Sequence, residues 1–153
     1  GALAGSVAQA KTSHAGWPHI DGKLWINSHD RHASRTGTAR NDELLGGHGN
    51  DTLVGGPGAD VIWGDYKPTA NNTWQHDRLF GGPGDDWIYG SHGSNVVYAG
   101  AGKDAIRVWF GRGFVDCGAG RDILYVSHRS RPHIKIRHCE TVSYKSARQV
   151  GDS

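Results

Sequence analysis

The sequence predicts an all-β protein, a right-handed parallel β-roll or β-helix solenoid with short capping strands at both ends. Three observations predict this fold class. Glycine supplies 24 of the 153 residues, which is roughly double its usual share. Short segments recur with a nine-residue period across residues 37–126, and each of them contains an aliphatic residue at the same position. No segment of useful length has the apolar spacing of an amphipathic helix.

A nine-residue pattern repeats through residues 37–126. Residues 46–54 and 55–63 both read G-G-x-G-x-D-x-U-x, where U is aliphatic. An insertion of eight residues in the fourth repeat is the only break in the frame. It is placed within residues 66–75, of which 67–73 are predicted to form a surface loop. In this frame the nine repeats begin at Gly37, Gly46, Gly55, Gly64, Gly81, Gly90, Ala99, Val108 and Cys117. The eighth position is aliphatic in all nine repeats, as Leu44, Leu53, Ile62, Leu79, Ile88, Val97, Ile106, Val115 and Leu124.

Each repeat is predicted to form a tight glycine turn followed by a strand of about three residues. The position-8 side chain points into the core, and the side chains at positions 7 and 9 point outward because a strand alternates its faces. Two repeats complete one coil, so the strands stack about 4.8 Å apart in two parallel sheets. One aliphatic side chain per repeat cannot offset the entropy of ordering nine residues. The turns therefore need a further stabilising element, and a metal ion is the natural candidate.

Acidic residues at position 6 form two columns on opposite edges of the predicted solenoid. The turns of the odd-numbered repeats, the odd edge, carry Asp42, Asp60, Asp86, Asp104 and Asp122. The turns of the even-numbered repeats, the even edge, carry Asp51, Asp77, Asn95 and Gly113. Carboxylates about 5 Å apart repel by roughly 3 kcal/mol at an effective dielectric constant of 20, so we expect folding to require a divalent cation. The alternative is that these aspartates only cap glycine turns.

With this motif, residues 37–126 resemble the hemolysin-type RTX calcium-binding β-roll family. The resemblance implies that several Ca²⁺ ions bind between successive turns, held by position-6 side chains and by backbone carbonyls of turn glycines. Beside the position-6 residues, the implied calcium-binding residues are Gly55, Gly56, Gly58, Gly81, Gly82, Gly84, Gly100 and Gly102. Because calcium prefers six to eight oxygen ligands, we expect about three or four good sites on the odd edge and one or two weaker sites opposite. The gap between Asn95 and Gly113 lacks a carboxylate and is expected to be empty.

The segments on either side of the repeats are predicted to cap the solenoid. Residues 1–10 end in Ala8-Gln9-Ala10 and are interpreted as a signal-peptide remnant or a disordered tail. Residues 11–36 form an N-terminal capping segment, with a strand at 23–27 and a loop at 28–36. Residues 127–153 form a basic C-terminal cap, with a strand at 133–137.

Cys117 and Cys139 are predicted to form one disulfide bond, and two free or buried thiols are the alternative. The bond would tie the C-terminal cap to the last turn and contribute roughly 3 kcal/mol. A disulfide and a cleaved export signal both indicate a secreted, extracellular protein. The chain has no apolar run long enough for a transmembrane segment. Its net charge of +2 is too small for a general nucleic-acid binder.

Two further groups of side chains lie on the outside of the predicted roll. His48, His76 and His92 follow the even edge, but His48 and His92 lie about 10 Å apart and cannot share one transition metal by themselves. Outward-facing aromatic residues form a possible ligand surface of Trp63, Trp87, Tyr89, Tyr98 and Tyr125. This surface could stack against a glycan or cell-wall polymer, be covered by the flanking segments, or mediate self-association.

The sequence favours a calcium-binding protein over an enzyme, because it contains neither H-E-x-x-H nor G-x-S-x-G. The leading hypothesis is a secreted calcium-binding β-roll whose Ca²⁺ ions are structural and drive folding, with surface binding or adhesion as its further role. The alternative is a small secreted polysaccharide-acting enzyme, or a carbohydrate- or cell-wall-binding module, that uses the exposed aromatic sheet face. Parallel β-helices host such enzymes, which is an argument from fold analogy alone.

Overall fold

A computed structural model of the protein describes residues 16–67 and 74–150. These residues form 13 strands, numbered here in chain order, and two short 3-10 segments, Arg131–His133 and Arg148–Val150. The odd sheet contains β1 (Leu24–Ile26), β3 (Glu43–Leu45), β5 (Val61–Trp63), β7 (Trp87–Tyr89), β9 (Ala105–Arg107), β11 (Ile123–Tyr125) and β13 (Thr141–Ser143). The even sheet contains β2 (Ser34–Thr36), β4 (Thr52–Val54), β6 (Arg78–Phe80), β8 (Ser94–Tyr98), β10 (Arg112–Asp116) and β12 (Ile134–Arg137).

All strand pairs are parallel, and consecutive strands alternate between the two sheets, so the chain winds as a β-solenoid of about six turns. The register confirms the nine-residue frame, because Leu44 pairs with Ile62 and Ile62 pairs with Ile88. All nine position-8 side chains are fully buried and belong to a single core cluster between the sheets. The predicted all-β fold is therefore confirmed. The insertion lies between β5 and β6, and its residues 68–73 are outside the described residues.

The ends of the solenoid carry the predicted capping strands. Strand β1 pairs with β3 at one end, and β12 and β13 pair with β10 and β11 at the other. The predicted loop at 28–36 is wrong in part, because Ser34–Thr36 form β2 and pair with β4. Arg35 takes the inward register position opposite Leu53, and its guanidinium lies 4.9 Å from the centre of the Trp25 ring. No aliphatic residue marks this strand because it lies at the edge of the even sheet, where the Arg35 side chain is exposed.

The disulfide between Cys117 and Cys139 is confirmed, with a Cα–Cα distance of 5.0 Å. It joins the last repeat to the segment between β12 and β13. The predicted signal-peptide remnant at 1–10 lies outside the described residues. Within 16–67 and 74–150, the structure contains no helix with the length and hydrophobicity needed to cross a membrane.

Candidate metal centres

The position-6 side chains of both edges are buried, although most of them are carboxylates. Each of the seven position-6 aspartates is at most 3% exposed, and Asn95 is 3% exposed. Their burial follows from the fold, because each aspartate directly precedes a strand that carries an inward aliphatic residue, and Asn95 lies near the start of such a strand. Burial of an unpaired carboxylate is costly, so the fold must supply partners for these oxygens.

On the odd edge, one oxygen of each carboxylate accepts a hydrogen bond from the coil before it. The backbone N–H of each position-6 aspartate donates to a carboxylate one coil further along the chain. The N···O distances are 2.8 Å for Asp42 to Asp60, 2.9 Å for Asp60 to Asp86, 2.8 Å for Asp86 to Asp104 and 2.9 Å for Asp104 to Asp122. The result is a continuous ladder of side chains that links successive coils.

The even edge carries a shorter ladder of the same kind. The N–H of Ala33 donates to Asp51 at 2.9 Å, that of Asp51 to Asp77 at 2.8 Å, and that of Asp77 to the amide oxygen of Asn95 at 3.0 Å. Gly113 occupies the next position-6 place, pairs with Asn95 and brings no side chain. The even edge therefore loses its carboxylates toward the C-terminal end, as its sequence predicts.

The second oxygen of most of these carboxylates has no hydrogen-bond donor. Among the described residues, six Oδ2 atoms are buried and without a hydrogen-bond partner: those of Asp51, Asp60, Asp77, Asp86, Asp104 and Asp122. A buried, negatively charged oxygen without a partner costs several kcal/mol. Six such atoms in two columns indicate that the folded state is built around positive charge at the turns.

The pKa values of these aspartates are raised above the usual value, and burial is the main cause. The pKa of Asp86 rises to about 8, and the neighbouring charges of Asp104 and Asp60 add to the effect of burial. Burial likewise raises the pKa of Asp60, Asp77 and Asp104 to about 7 and that of Asp51 to about 6. Hydrogen bonds from backbone N–H groups oppose the rise in each case. Without a cation, these carboxylates would be partly protonated at neutral pH.

Glycines at positions 2 and 4 of the odd turns allow the backbone carbonyls of one turn to lie close to the next turn. Gly56, Gly58, Gly82 and Gly84 all have positive φ, which side chains rarely allow. A Cβ atom on Gly82 would lie 2.9 Å from the carbonyl oxygen of Gly56, and one on Gly84 would clash with the carbonyl of Gly58. Carbonyl oxygens of each turn therefore face the next turn, where only a glycine leaves room for them.

A glycine at position 1 leaves a small space between oxygens. The place of a Cβ on Gly55 lies 2.5 Å from Oδ2 of Asp60 and 2.8 Å from the carbonyl oxygen of Gly81 in the next turn. Carboxylate and carbonyl oxygens are the hard ligands that calcium prefers. The donor set therefore fits Ca²⁺: the carboxylates of the internal odd turns, with the turn carbonyls beside them, would hold the ion, and the bound charge would neutralise the ladder.

Asp42, at the N-terminal end of the odd edge, differs from the other ladder residues. Its Oδ1 accepts hydrogen bonds from the Lys23 backbone N–H at 2.6 Å and from the Thr38 hydroxyl at 2.8 Å. Its Oδ2 accepts from the Thr38 backbone N–H at 2.6 Å. Both oxygens are thus satisfied by the protein. Asp42 as a calcium ligand stays a prediction, and these contacts make it the weakest member of the predicted odd-edge set.

Asn95 has its amide nitrogen where the other turns have an unpartnered oxygen. Its Nδ2 donates to the carbonyl of Gly90 at 2.7 Å and to that of His92 at 3.2 Å, both in its own turn. The amide therefore places positive hydrogens on the carbonyls that a cation would otherwise contact. Asn95 as a calcium ligand is likewise untested, and its contacts favour a turn that is closed without metal.

Glu140 also belongs to the odd ladder, although the repeat motif does not predict it. The backbone N–H of Asp122 donates to its Oε2 at 2.9 Å. Glu140 lies 18 residues after Asp122, which is the length of two repeats, so the spacing alone indicates its place in the ladder. The motif does not include Glu140, because the segment around it lacks the glycines of the repeats.

The predicted histidine column does not form a metal cluster. The Nδ1 of His48 lies 2.8 Å from a carboxylate oxygen of Asp65, whereas the His92 ring stacks on Phe110 with a centroid distance of 4.5 Å. Within the described ranges, no three His, Cys, Asp or Glu side chains come together as a metal-binding group. Any calcium site in the turns would therefore combine two carboxylates with backbone oxygens.

The predicted ligand surface is divided between the two sheets and partly covered. Trp63 and Tyr89 stack on the odd sheet with a centroid distance of 4.5 Å, while Tyr98 lies on the even sheet. Trp17 from the N-terminal flank contacts both stacked rings, and its indole N–H donates to the Tyr89 hydroxyl at 2.7 Å. Tyr89 is consequently buried. Coverage by a flanking segment, one of the predicted alternatives, accounts for this part of the aromatic row.

Comparison with known families agrees with the geometry of the turns. The family model of the RTX calcium-binding nonapeptide repeat matches residues 36–65 and 72–106, with four copies. These two segments are similar to RTX calcium-binding repeats. No curated protein and no solved structure matches it. The match ends at residue 106, whereas the ladder of hydrogen-bonded side chains on the odd edge continues through Asp122 to Glu140.

Proposed function

We propose that the protein is a secreted calcium-binding β-roll in which structural Ca²⁺ ions complete the fold, and that its further role is surface binding or adhesion. One observation carries the structural part of the proposal: six buried carboxylate oxygens in two columns have no hydrogen-bond donor among the described residues. A cation that binds only the folded state stabilises it by mass action. Calcium binding would therefore convert the electrostatic cost of the ladder into folding free energy.

The decisive experiment compares the protein with calcium, with magnesium and with EGTA by circular dichroism and thermal unfolding. We expect a loss of β-structure or a large drop in melting temperature in EGTA, reversed by calcium. Magnesium should restore little, because it requires a small, near-octahedral ligand set and gives up its water reluctantly. An unchanged melting curve in EGTA would contradict the proposal.

Secretion is supported by the disulfide, because such bonds persist mainly outside the reducing cytosol. Disulfide formation also gives a way to test it. In a bacterial host, export to the periplasm should give a protein without free thiols, and expression in the cytosol should give a less stable protein with two. Equal stability and equal thiol content from both compartments would argue against dependence on export.

A second candidate function, glycan or cell-wall binding, is favoured by a cleft of about 380 Å³ beside the aromatic stack. Trp63, Tyr66 and Trp109 line it, together with Arg107 and with Lys67, whose ammonium is paired with Asp30. Aromatic faces of this kind stack on sugar rings. A glycan array probed with the native protein and with Trp109→Ala tests this. Binding that the variant loses while its melting temperature is unchanged would support the second function, and no binding by the native protein would exclude it for the glycans tested.

A further inference from the structure

The odd sheet keeps its spacing of 18 residues for one more turn inside the C-terminal cap, although β12 pairs with β10 at a spacing of 21 residues, from Val115 to Ile136. We call residues 138–140, between β12 and β13, the terminal turn. Val142 lies 18 residues after Leu124 and pairs with it in the odd sheet. Glu140 lies 18 residues after Asp122 and accepts its backbone N–H at 2.9 Å. In register and in hydrogen bonding, Glu140 thus takes the place that an aspartate takes in the RTX repeats.

The last gap of the odd edge lies between Asp122 and Glu140. Oδ1 of Asp122 accepts the N–H of Asp104 at 2.9 Å from the preceding coil. Oδ2 of Asp122 is buried and, among the described residues, has no hydrogen-bond partner. Asp122 as a whole is 3% exposed, so solvent has little access to this oxygen. The gap therefore combines an unsatisfied buried carboxylate oxygen with a second carboxylate from the terminal turn.

The confirmed disulfide connects the two turns that border this gap. Cys117 is position 1 of the turn that contains Asp122, and Cys139 directly precedes Glu140. Their Cα atoms lie 5.0 Å apart. The internal odd gaps contain no covalent link, because Cys117 and Cys139 are the chain's only cysteines. Because the terminal turn lacks the glycines that let the other turns stack closely, the disulfide holds it against the preceding turn.

We propose that Asp122 and Glu140 form an additional calcium site at the C-terminal end of the odd edge, and that its occupancy depends on the Cys117–Cys139 disulfide. The inference rests on the proposed structural role of calcium and extends it to a turn that the repeat motif does not encode. The longer glutamate side chain lets a carboxylate reach the gap from a backbone that has no glycine turn. Calcium tolerates such variation, because its coordination number and geometry are flexible.

The test counts calcium ions per chain by equilibrium dialysis and isothermal titration calorimetry. Glu140→Gln keeps an oxygen that can accept the Asp122 N–H and removes only the charge. We expect this variant to bind one ion fewer than the native protein while its β-structure in calcium is retained. Asp21→Asn is the matched control, since Asp21 also accepts a backbone N–H from the next coil, that of Asn41 at 3.0 Å, but is exposed and outside the ladder. The control should bind the native number of ions.

The outcomes separate this inference from the proposed function. If the native protein binds no calcium, both are overturned. If Asp86→Asn loses ions but Glu140→Gln binds the native number with native affinities, only the terminal site is overturned. Reduction of the disulfide at saturating calcium should remove one ion from the native protein and none from Glu140→Gln. Reduction that leaves the native stoichiometry intact would overturn the dependence on the disulfide.

Discussion

Replacement of Asp86 by asparagine should stabilise the protein without calcium and destabilise it with calcium. Asp86 is fully buried in the middle of the odd ladder, with Asp60 and Asp104 in the adjacent coils. Asparagine keeps an oxygen that accepts the Asp60 N–H, so the ladder hydrogen bond survives. The substitution removes the negative charge of Asp86 and its unsatisfied Oδ2. Without calcium, that charge destabilises the fold by repulsion; with calcium, it stabilises the fold by binding the ion.

The magnitudes follow from the spacing of the coils. Two carboxylates about 5 Å apart repel by roughly 3 kcal/mol at an effective dielectric constant of 20, so removal of both contacts of Asp86 gains at most about 6 kcal/mol without calcium. In calcium, the variant loses a ligand shared by two predicted sites. At a free concentration of 100 times Kd, each site contributes about 2.7 kcal/mol, so the loss is about 5 kcal/mol. For a domain of this size that is a fall of roughly 10–20 °C in melting temperature.

Thermal unfolding of native protein and variant, at pH 8 in EGTA and in excess calcium, measures both effects. Asp85→Asn is the matched control, because Asp85 is the adjacent carboxylate but its Oδ1 accepts the Lys103 N–H at 2.8 Å outside the ladder. The control should change the melting temperature little, and similarly in both conditions. If Asp86→Asn lowers the melting temperature by the same amount with and without calcium, its charge has no role in metal binding and the reasoning is wrong.

Three further predictions follow from the turns. Without calcium, the protein should be more stable at pH 5 than at pH 8. The raised pKa values of Asp60 and Asp86 mean that the folded state binds more protons than the unfolded state between about pH 4 and 8. Stability in EGTA that rises with pH over this range would contradict this prediction. Asn95→Ala should lower the free energy of unfolding by about 1–3 kcal/mol, equally with and without calcium, because the Asn95 side-chain amide donates hydrogen bonds to backbone carbonyls of its own turn. A loss of stability seen only in calcium would instead make Asn95 a metal ligand. A thiol assay on denatured, unreduced protein should find no reactive cysteine, and two reactive groups would refute the pairing of Cys117 with Cys139. Reduction of this bond should lower the free energy of unfolding by roughly 3 kcal/mol.

The repeat period was enough to predict the solenoid and its core. An aliphatic residue every nine positions can be buried only if all copies stack in register, and Leu53 indeed pairs with Leu79 across the insertion. The disulfide was predictable because the chain has only two cysteines. Strand β2 was not, because Arg35 at its centre is polar and lies at the open edge of a sheet, where a strand needs no inward aliphatic side chain.

The candidate site was predictable in its residue types but not in its differences between turns. The aspartates follow directly from the motif. The repeat of Asp42 has Thr38 where that of Asp60 has a glycine, but this difference does not by itself reveal that Thr38 and Lys23 satisfy both oxygens of Asp42. Nor does an asparagine at position 6 indicate by itself that its amide nitrogen binds its own turn. These differences depend on hydrogen bonds to residues that depart from the motif, and the motif alone does not predict such bonds.

The ladder makes the two ends of the solenoid unequal. Each link points the same way, from the N–H of one coil to the carboxylate of the next, as between Asp104 and Asp122. At the C-terminal end, each coil needs an acceptor side chain in the coil after it, and an apolar replacement of that side chain leaves a buried N–H unsatisfied, at a cost of about 1–3 kcal/mol. At the N-terminal end, any residue with a backbone N–H can serve as the first donor, as Ala33 does for Asp51. Sequence variation should therefore be tolerated better at the beginning of the solenoid than at its end.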